Sequence, residues 1–92
     1  MIRRQTLTSG ATKVTFVLRL DQAPESTSVA GDFNEWDPLT HPMKKRSNGT
    51  RSASVEIPAG EVVEFRYLAD GGVWFNEADA EQNDDGNSFL AA

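Results

Sequence analysis

Short stretches of alternating apolar and polar residues, separated by turn-forming residues, constrain the fold of this chain more than any other feature. In the stretch 13–20, one set of alternate positions is apolar: Val14, Phe16, Leu18 and Leu20. A period of two is that of a strand with one buried face, so we predict a strand here. The segment Asp21–Glu25, which contains Pro24, breaks the run.

Turn signals at regular spacing extend this pattern along the chain. Asn48-Gly49 suits a type I′ hairpin turn, in which both positions need positive φ, and Asp70-Gly71-Gly72 is a second tight turn. Clear alternation beside these turns predicts strands over 51–57 and 62–69. Further strands are predicted over 26–30, 41–46, 73–75 and 87–91, with 41–46 the weakest. This arrangement, without a helical stretch, predicts an all-β antiparallel β-sandwich of about seven strands.

Length and charge limit the organisation of the chain and its partners. Ninety-two residues suffice for one thin core, so we predict a single domain over 12–92, preceded by a frayed polar segment over 1–11. An acidic loop is predicted over 76–88. The formal net charge of −5 disfavours nucleic acid and anionic membranes as partners. The sequence contains no cysteine, which excludes disulfides and thiolate metal sites.

We expect a cytoplasmic protein. The first residues, Met1–Arg4, are basic as at the start of a signal peptide, but no apolar segment of about 7–15 residues follows them. No apolar run approaches the roughly 20 residues that span a bilayer. Neither export nor membrane insertion is therefore expected.

Two tryptophans beside turns are the candidate functional residues. Trp36 lies in the turn-rich segment Val29–Pro38, and Trp74 follows a tight turn. Arg66 alternates with apolar neighbours and is predicted to face solvent. Two exposed indole rings and a cation on an open sheet would suit a sugar, whose C–H face the rings would cover. In the alternative interpretation, the tryptophans close the ends of the sandwich and Arg66 pairs with Glu64 or Glu56.

The chain also resembles a known family. The residues that carry the resemblance are Val-Ala-Gly-Asp-Phe-Asn-Glu-Trp at 29–36, Phe-Arg-Tyr-Leu-Ala-Asp-Gly-Gly-Val-Trp at 65–74 and Asn-Ser-Phe-Leu at 87–90. In this order they are similar to the family-48 carbohydrate-binding modules, over roughly residues 12–91. These are early-set, immunoglobulin-like β-sandwiches at the N-termini of isoamylases and glycogen branching enzymes. They also form the glycogen-binding domain of the AMP-activated protein kinase β subunit.

The resemblance implies that the chain binds an α-1,4-linked glucan, such as glycogen, starch or a maltooligosaccharide, without cleaving it. In glycogen-binding members two Trp rings flank the sugar, and a basic residue and an Asn hydrogen-bond to it. The matching positions are Trp36, Trp74, Arg66 and Asn87. Those members carry an apolar residue and a Thr before the Asn, where this chain reads Asn83-Asp84-Asp85-Gly86. The alternative is an interaction or scaffold domain that does not bind sugar and docks a glucan-metabolising enzyme or another protein.

Catalysis and metal binding are not predicted. The single histidine, His41, precedes Pro42 and is expected at the surface, and no Gly-x-Ser-x-Gly motif is present. The stretch 81–86 resembles the first half of an EF-hand loop, but the position of the required bidentate Glu is Ala92. We therefore predict no catalytic residue, no metal site and no cofactor.

Overall fold

The computed structural model describes residues 1–23 and 25–92, so Pro24, within the predicted break Asp21–Glu25, lies outside the described residues. Within them, nine strands and one 3₁₀ turn, Asp32–Asn34, are present. The strands are β1 (Ile2–Thr6), β2 (Ala11–Arg19), β3 (Thr27–Gly31), β4 (Lys44–Lys45), β5 (Thr50–Pro58), β6 (Val62–Ala69), β7 (Val73–Phe75), β8 (Glu81–Gln82) and β9 (Ser88–Ala91). No helix in this part of the chain is long and apolar enough to cross a membrane.

The strands form two antiparallel sheets, which confirms the predicted all-β sandwich. One sheet has four strands in the order β1-β2-β5-β4. The other has five strands: β3-β6-β9-β8 in this order, and β7, which also pairs with β6. Strand β6 is central in the second sheet, because one of its edges pairs with β3 while the other is shared by β9 and β7. We call these the four-stranded and the five-stranded sheet.

The core lies between the sheets and is built from the predicted alternation. Phe16 from one sheet and Phe65 and Tyr67 from the other are each 0% exposed. The ring centroids of Phe16 and Phe65 are 4.8 Å apart, and those of Phe65 and Tyr67 are 5.8 Å apart. Burying side chains of this size is the main stabilising contribution in a domain this small.

The N-terminal segment differs from expectation. Residues 1–11 were predicted to be frayed, but Ile2–Thr6 forms β1, with Ile2 opposite Phe16 on β2. Arg4 Nε also donates a hydrogen bond to the carbonyl of Ala91, at 2.9 Å. An edge strand pairs along one edge only and buries little surface, so its residues can be polar. A prediction based on apolar alternation therefore missed β1.

The predicted type I′ turn at Asn48-Gly49 is wrong. Among the described residues with positive φ, Gly49 is present with φ 81° and Asn48 is not. Gly49 N donates to the carbonyl of Arg46 at 3.3 Å, and Arg46 N donates to the carbonyl of Thr50 at 2.7 Å. The hairpin therefore uses the longer loop in which a type I turn is followed by a left-handed glycine.

Candidate functional site

The outer face of the five-stranded sheet presents Glu64, Arg66 and Trp74 to solvent. Alternation along β6 buries Phe65 and Tyr67, and it directs Glu64 and Arg66 outward. Trp74 on β7 lies directly opposite Leu68 of β6, so its ring shares this outer face. The sheet therefore brings Arg66 and Trp74 to one surface.

This surface contains an open cavity of about 520 Å³. Its lining residues are Trp36, Glu64, Arg66, Trp74 and Asn87. All four residues selected from the sequence thus lie around one cavity, together with Glu64, which was not selected. Trp74 is 46% exposed and Trp36 is partly exposed, so neither ring is buried at an end of the sandwich.

A strained turn presents Trp36. Glu35 and Trp36 both adopt left-handed backbone conformations, with φ of 57° and 59°. Two adjacent non-glycine residues in this region are uncommon and need support from their surroundings. Trp36 N donates to the carbonyl of Gly31 at 2.8 Å, and Asp32 Oδ1 accepts a hydrogen bond from Glu64 N at 3.2 Å. These bonds tie the turn back to the sheet.

The side chain of Asn34 holds the same turn from within. Its Oδ1 accepts from Gly31 N at 2.9 Å, and its Nδ2 donates to the carbonyl of Val29 at 3.1 Å. These two bonds fix the orientation of the amide. The remaining Nδ2 proton points to His41 Nδ1 at 2.9 Å, so this ring nitrogen accepts and the imidazole proton is on Nε2. His41 is thus a partly buried structural residue, not the surface histidine that was predicted.

Arg66 is anchored by the loop that precedes β9. Its Nη2 donates to the carbonyl of Asp85 at 3.2 Å, and its Nε is buried without a hydrogen-bond partner. Among the described residues it forms no ion pair, so the alternative pairing with Glu64 or Glu56 is not found. Gly86, at φ +78°, packs so closely that an added Cβ would lie 3.2 Å from Nη2.

Asn83 organises this loop and links it to Glu64. Its Oδ1 accepts from the backbone N–H groups of Asp85 at 3.1 Å and Asn87 at 3.0 Å. Its Nδ2 donates to the carboxylate of Glu64, and Asn87 Nδ2 lies 3.5 Å from the same oxygen. The turn-forming composition of 83–87 was the available signal for this arrangement. Nothing in the local sequence indicated that Glu64 would be its partner.

A comparison with protein families identifies the family of this chain. The family model for carbohydrate-binding module 48, the isoamylase N-terminal domain, matches residues 6–81 of the 92-residue chain. The chain is a member of this family. The matched part of the module includes Trp36, Arg66 and Trp74 and ends before Asn87. No curated protein matches the chain in sequence. Family membership makes carbohydrate the general class of ligand.

The acidic loop of the module forms no metal-binding cluster. Within residues 1–23 and 25–92, no group of three or more His, Asp or Glu side chains could hold a metal ion. In the stretch 81–86, Glu81 pairs with Phe89 in the sheet and Asn83 bonds to the loop and to Glu64. The Asn83 amide is thus used for structure.

The tautomer of His41 predicts a pH dependence. Burial lowers the pKa of His41 below 6.5, and protonation of Nδ1 would place two donors face to face at Asn34. The folded state then binds the His41 proton more weakly than the unfolded state does. The contribution of His41 to the free energy of unfolding is therefore complete above about pH 6.5, and it falls as the pH drops from there towards the lowered pKa. Urea unfolding between pH 7.5 and 5.5 measures this, and a His41→Gln variant is expected to lack this part of the slope.

Proposed function

We propose that the module binds α-1,4-linked glucan without catalysing its cleavage. The observation that carries this proposal is the grouping of Trp36, Trp74, Arg66 and Asn87 around one open cavity on the five-stranded sheet. Both rings are partly exposed beside the polar side chains that line the cavity, where covering them with an apolar sugar face is favourable.

The polar groups of the cavity complement sugar hydroxyls. The Arg66 guanidinium supplies donors, the Glu64 carboxylate supplies acceptors, and the Asn87 amide supplies both. Sugar hydroxyls donate and accept, so a mixed set of this kind suits a neutral glucan better than a purely cationic or anionic ligand. Because contacts to the carbonyl of Asp85 and to Glu64 already restrain the side chains of Arg66 and Asn87, little side-chain entropy is lost on binding.

The expected affinity is weak. An aromatic contact contributes only about 0.5–1.5 kcal/mol beyond the area that it buries. An open two-ring site should therefore bind maltoheptaose with a Kd on the order of 10 µM to 1 mM.

The decisive experiment is a titration with maltoheptaose, followed by tryptophan fluorescence and by calorimetry. Trp36→Ala and Trp74→Ala are each expected to weaken binding by at least about tenfold, because each removes one wall of the cavity. Each variant loses one of the two fluorophores, so a smaller fluorescence change would not by itself show weaker binding. Calorimetry measures the affinity of the variants independently of the tryptophan signal.

Leu39→Ala is the matched control, since Leu39 is 84% exposed and does not line the cavity. It should bind maltoheptaose as the unmodified protein does. A saturable response that survives both Trp variants would move the site elsewhere. Absence of any response up to several millimolar sugar would leave the alternative, a domain that docks a glucan-metabolising enzyme or another protein.

A further inference from the structure

A second cavity lies beside the four-stranded sheet, away from the tryptophans. It has a volume of about 270 Å³ and lies where the segment after the Trp36 turn meets β4 and β5. The lining residues are Thr40, His41, Pro42, Lys44, Arg46, Ser52, Ala53 and Ser54. No carboxylate is among them, although the chain has fourteen Asp and Glu residues and nine Lys and Arg residues.

The polar side chains that line this cavity are cations, hydroxyl groups and an imidazole, with no carboxylate among them. Ser52, only 9% exposed, accepts from Arg46 Nε at 2.7 Å, which leaves its own hydroxyl proton to donate elsewhere. Lys44 and Arg46 form no ion pair within the described part of the chain. The proton of His41 is on Nε2, because Nδ1 accepts from Asn34. These groups together offer two positive charges and several N–H and O–H donors.

The surrounding sheet adds to the positive potential. Every Lys and Arg of the chain except Arg66 lies on the strands of the four-stranded sheet or next to them. The strands of this sheet carry a single carboxylate, Glu56. The register places Arg3, Lys13, Arg19 and Lys44 on the outer face of this sheet with Glu56, and it places Arg4, Lys45 and Arg51 on the opposite side. Although Arg19 also pairs with Asp21, the outer face has a net positive charge, which concentrates anions at a cavity there.

We propose that this cavity binds a small phosphate-bearing anion. A phosphate group has two negative charges and several acceptor oxygens, which match the paired cations and the convergent donors. The volume is below the roughly 300–1,000 Å³ of cavities that enclose drug-sized ligands, so the occupant is a small anion. This site is independent of glucan binding at the tryptophan cavity.

The test is a titration of the isotope-labelled protein with sodium phosphate, followed by two-dimensional NMR at constant ionic strength, with sodium chloride as the balancing salt. Amide signals of 40–46 and 52–54 are expected to shift and to saturate with a Kd on the order of 1–10 mM. Titration with glucose 6-phosphate in parallel distinguishes the two sources of the group. If the two ligands bind with equal affinity, free phosphate is sufficient. If glucose 6-phosphate binds more tightly than phosphate, the ligand is a phosphorylated sugar. Both results support the proposal.

Lys44→Ala and Lys45→Ala form a matched pair of variants. Both residues are exposed lysines on β4, but only Lys44 lines the cavity. Lys44→Ala should weaken phosphate binding about fivefold to tenfold, whereas Lys45→Ala should leave it within about twofold. Equal losses in the two variants, shifts that never saturate, or acetate that binds as tightly as phosphate would each overturn the proposal.

Discussion

Replacement of Gly31 by alanine is expected to lower the free energy of unfolding by about 3 kcal/mol or more. An added Cβ would lie 2.4 Å from the carbonyl oxygen of Glu64 and 2.6 Å from the ring of Phe33. The first of these is a backbone atom of the central strand β6, which cannot move without disturbing its pairing with β3. Denaturant unfolding with linear extrapolation measures the change.

Gly49→Ala separates steric overlap from backbone strain. Gly49 has φ +81° with no atom within 4 Å of an added Cβ, so its replacement should cost only about 1–2 kcal/mol of left-handed strain. Gly31 has an extended backbone, with φ −163°, so strain of that kind does not apply to it. A loss for Gly31→Ala no larger than for Gly49→Ala would show that the neighbouring strand and ring adjust easily.

The Gly31 contact also connects fold to function. A side chain at residue 31 would overlap the carbonyl of Glu64 on β6, and the turn that carries Trp36 begins directly after this residue. A Gly31→Ala protein that still folds should therefore bind maltoheptaose more weakly, even though residue 31 does not line the cavity.

The sequence predicted the architecture well because one periodic signal determines it. In the stretch 13–20, Val14, Phe16 and Leu18 occupy alternate positions, with Val17 the only apolar residue on the other face, and a period of two in several short runs leaves few arrangements other than two packed sheets. β1 was missed because an edge strand can be polar on both faces. The type I′ turn was wrong because the turn begins at Arg46, one residue earlier than the Asn-Gly pair indicates.

The candidate site was predictable only in part. Trp36 and Trp74 could be selected because exposed indole rings beside turns are unusual, and Arg66 because it alternates with apolar neighbours. The family resemblance added Asn87. Glu64 was missed because its role depends on a loop 19 residues away, through the bond from Asn83. Hydrogen bonds between distant side chains leave no local pattern, and they organise the loop from 76 to 88 together with the pairing of β8 with β9.

The acidic loop is joined to the core by a buried carboxylate. Glu77 is 3% exposed and accepts hydrogen bonds from the Tyr67 hydroxyl at 2.9 Å and from Asp79 N at 2.8 Å. The ammonium group of Met1 lies 2.9 Å from the same carboxylate. Backbone and side-chain bonds from Ser88 to Asn76 complete the network. Burial and the negative charge of Glu77 raise the pKa of Tyr67, so its hydroxyl stays protonated and donates.

Glu77→Ala is expected to destabilise the module by about 3–5 kcal/mol, the cost of removing one member of a buried charged network. The substitution leaves the Tyr67 hydroxyl buried without its acceptor, and it releases the loop that positions Asn83 and Asn87. Denaturant unfolding measures the loss. Glu81→Ala, at an exposed position of the same loop, is the control and should change stability by no more than about 0.5 kcal/mol.

The same network predicts acid sensitivity at low pH. Burial acts to raise the pKa of Glu77, but hydrogen bonds from Asp79 N, the Met1 ammonium group and Tyr67 outweigh it and bring the pKa below 4.5. The folded state therefore holds this proton more weakly than the unfolded state does. Its contribution to stability is full above about pH 4.5 and is lost as the pH falls through the lowered pKa.

A double-mutant cycle with Tyr67→Phe assigns the loss at Glu77 to a specific contact. Because the hydroxyl and the carboxylate bond directly, their coupling energy should be about 1–3 kcal/mol, and Glu77→Ala should cost less in the Tyr67→Phe background. The Glu77→Ala variant should also show a flatter pH dependence of stability below pH 4.5. Additive losses with an unchanged pH profile would mean that Glu77 acts only by filling space, and that Asn83 and Asn87 are positioned without it.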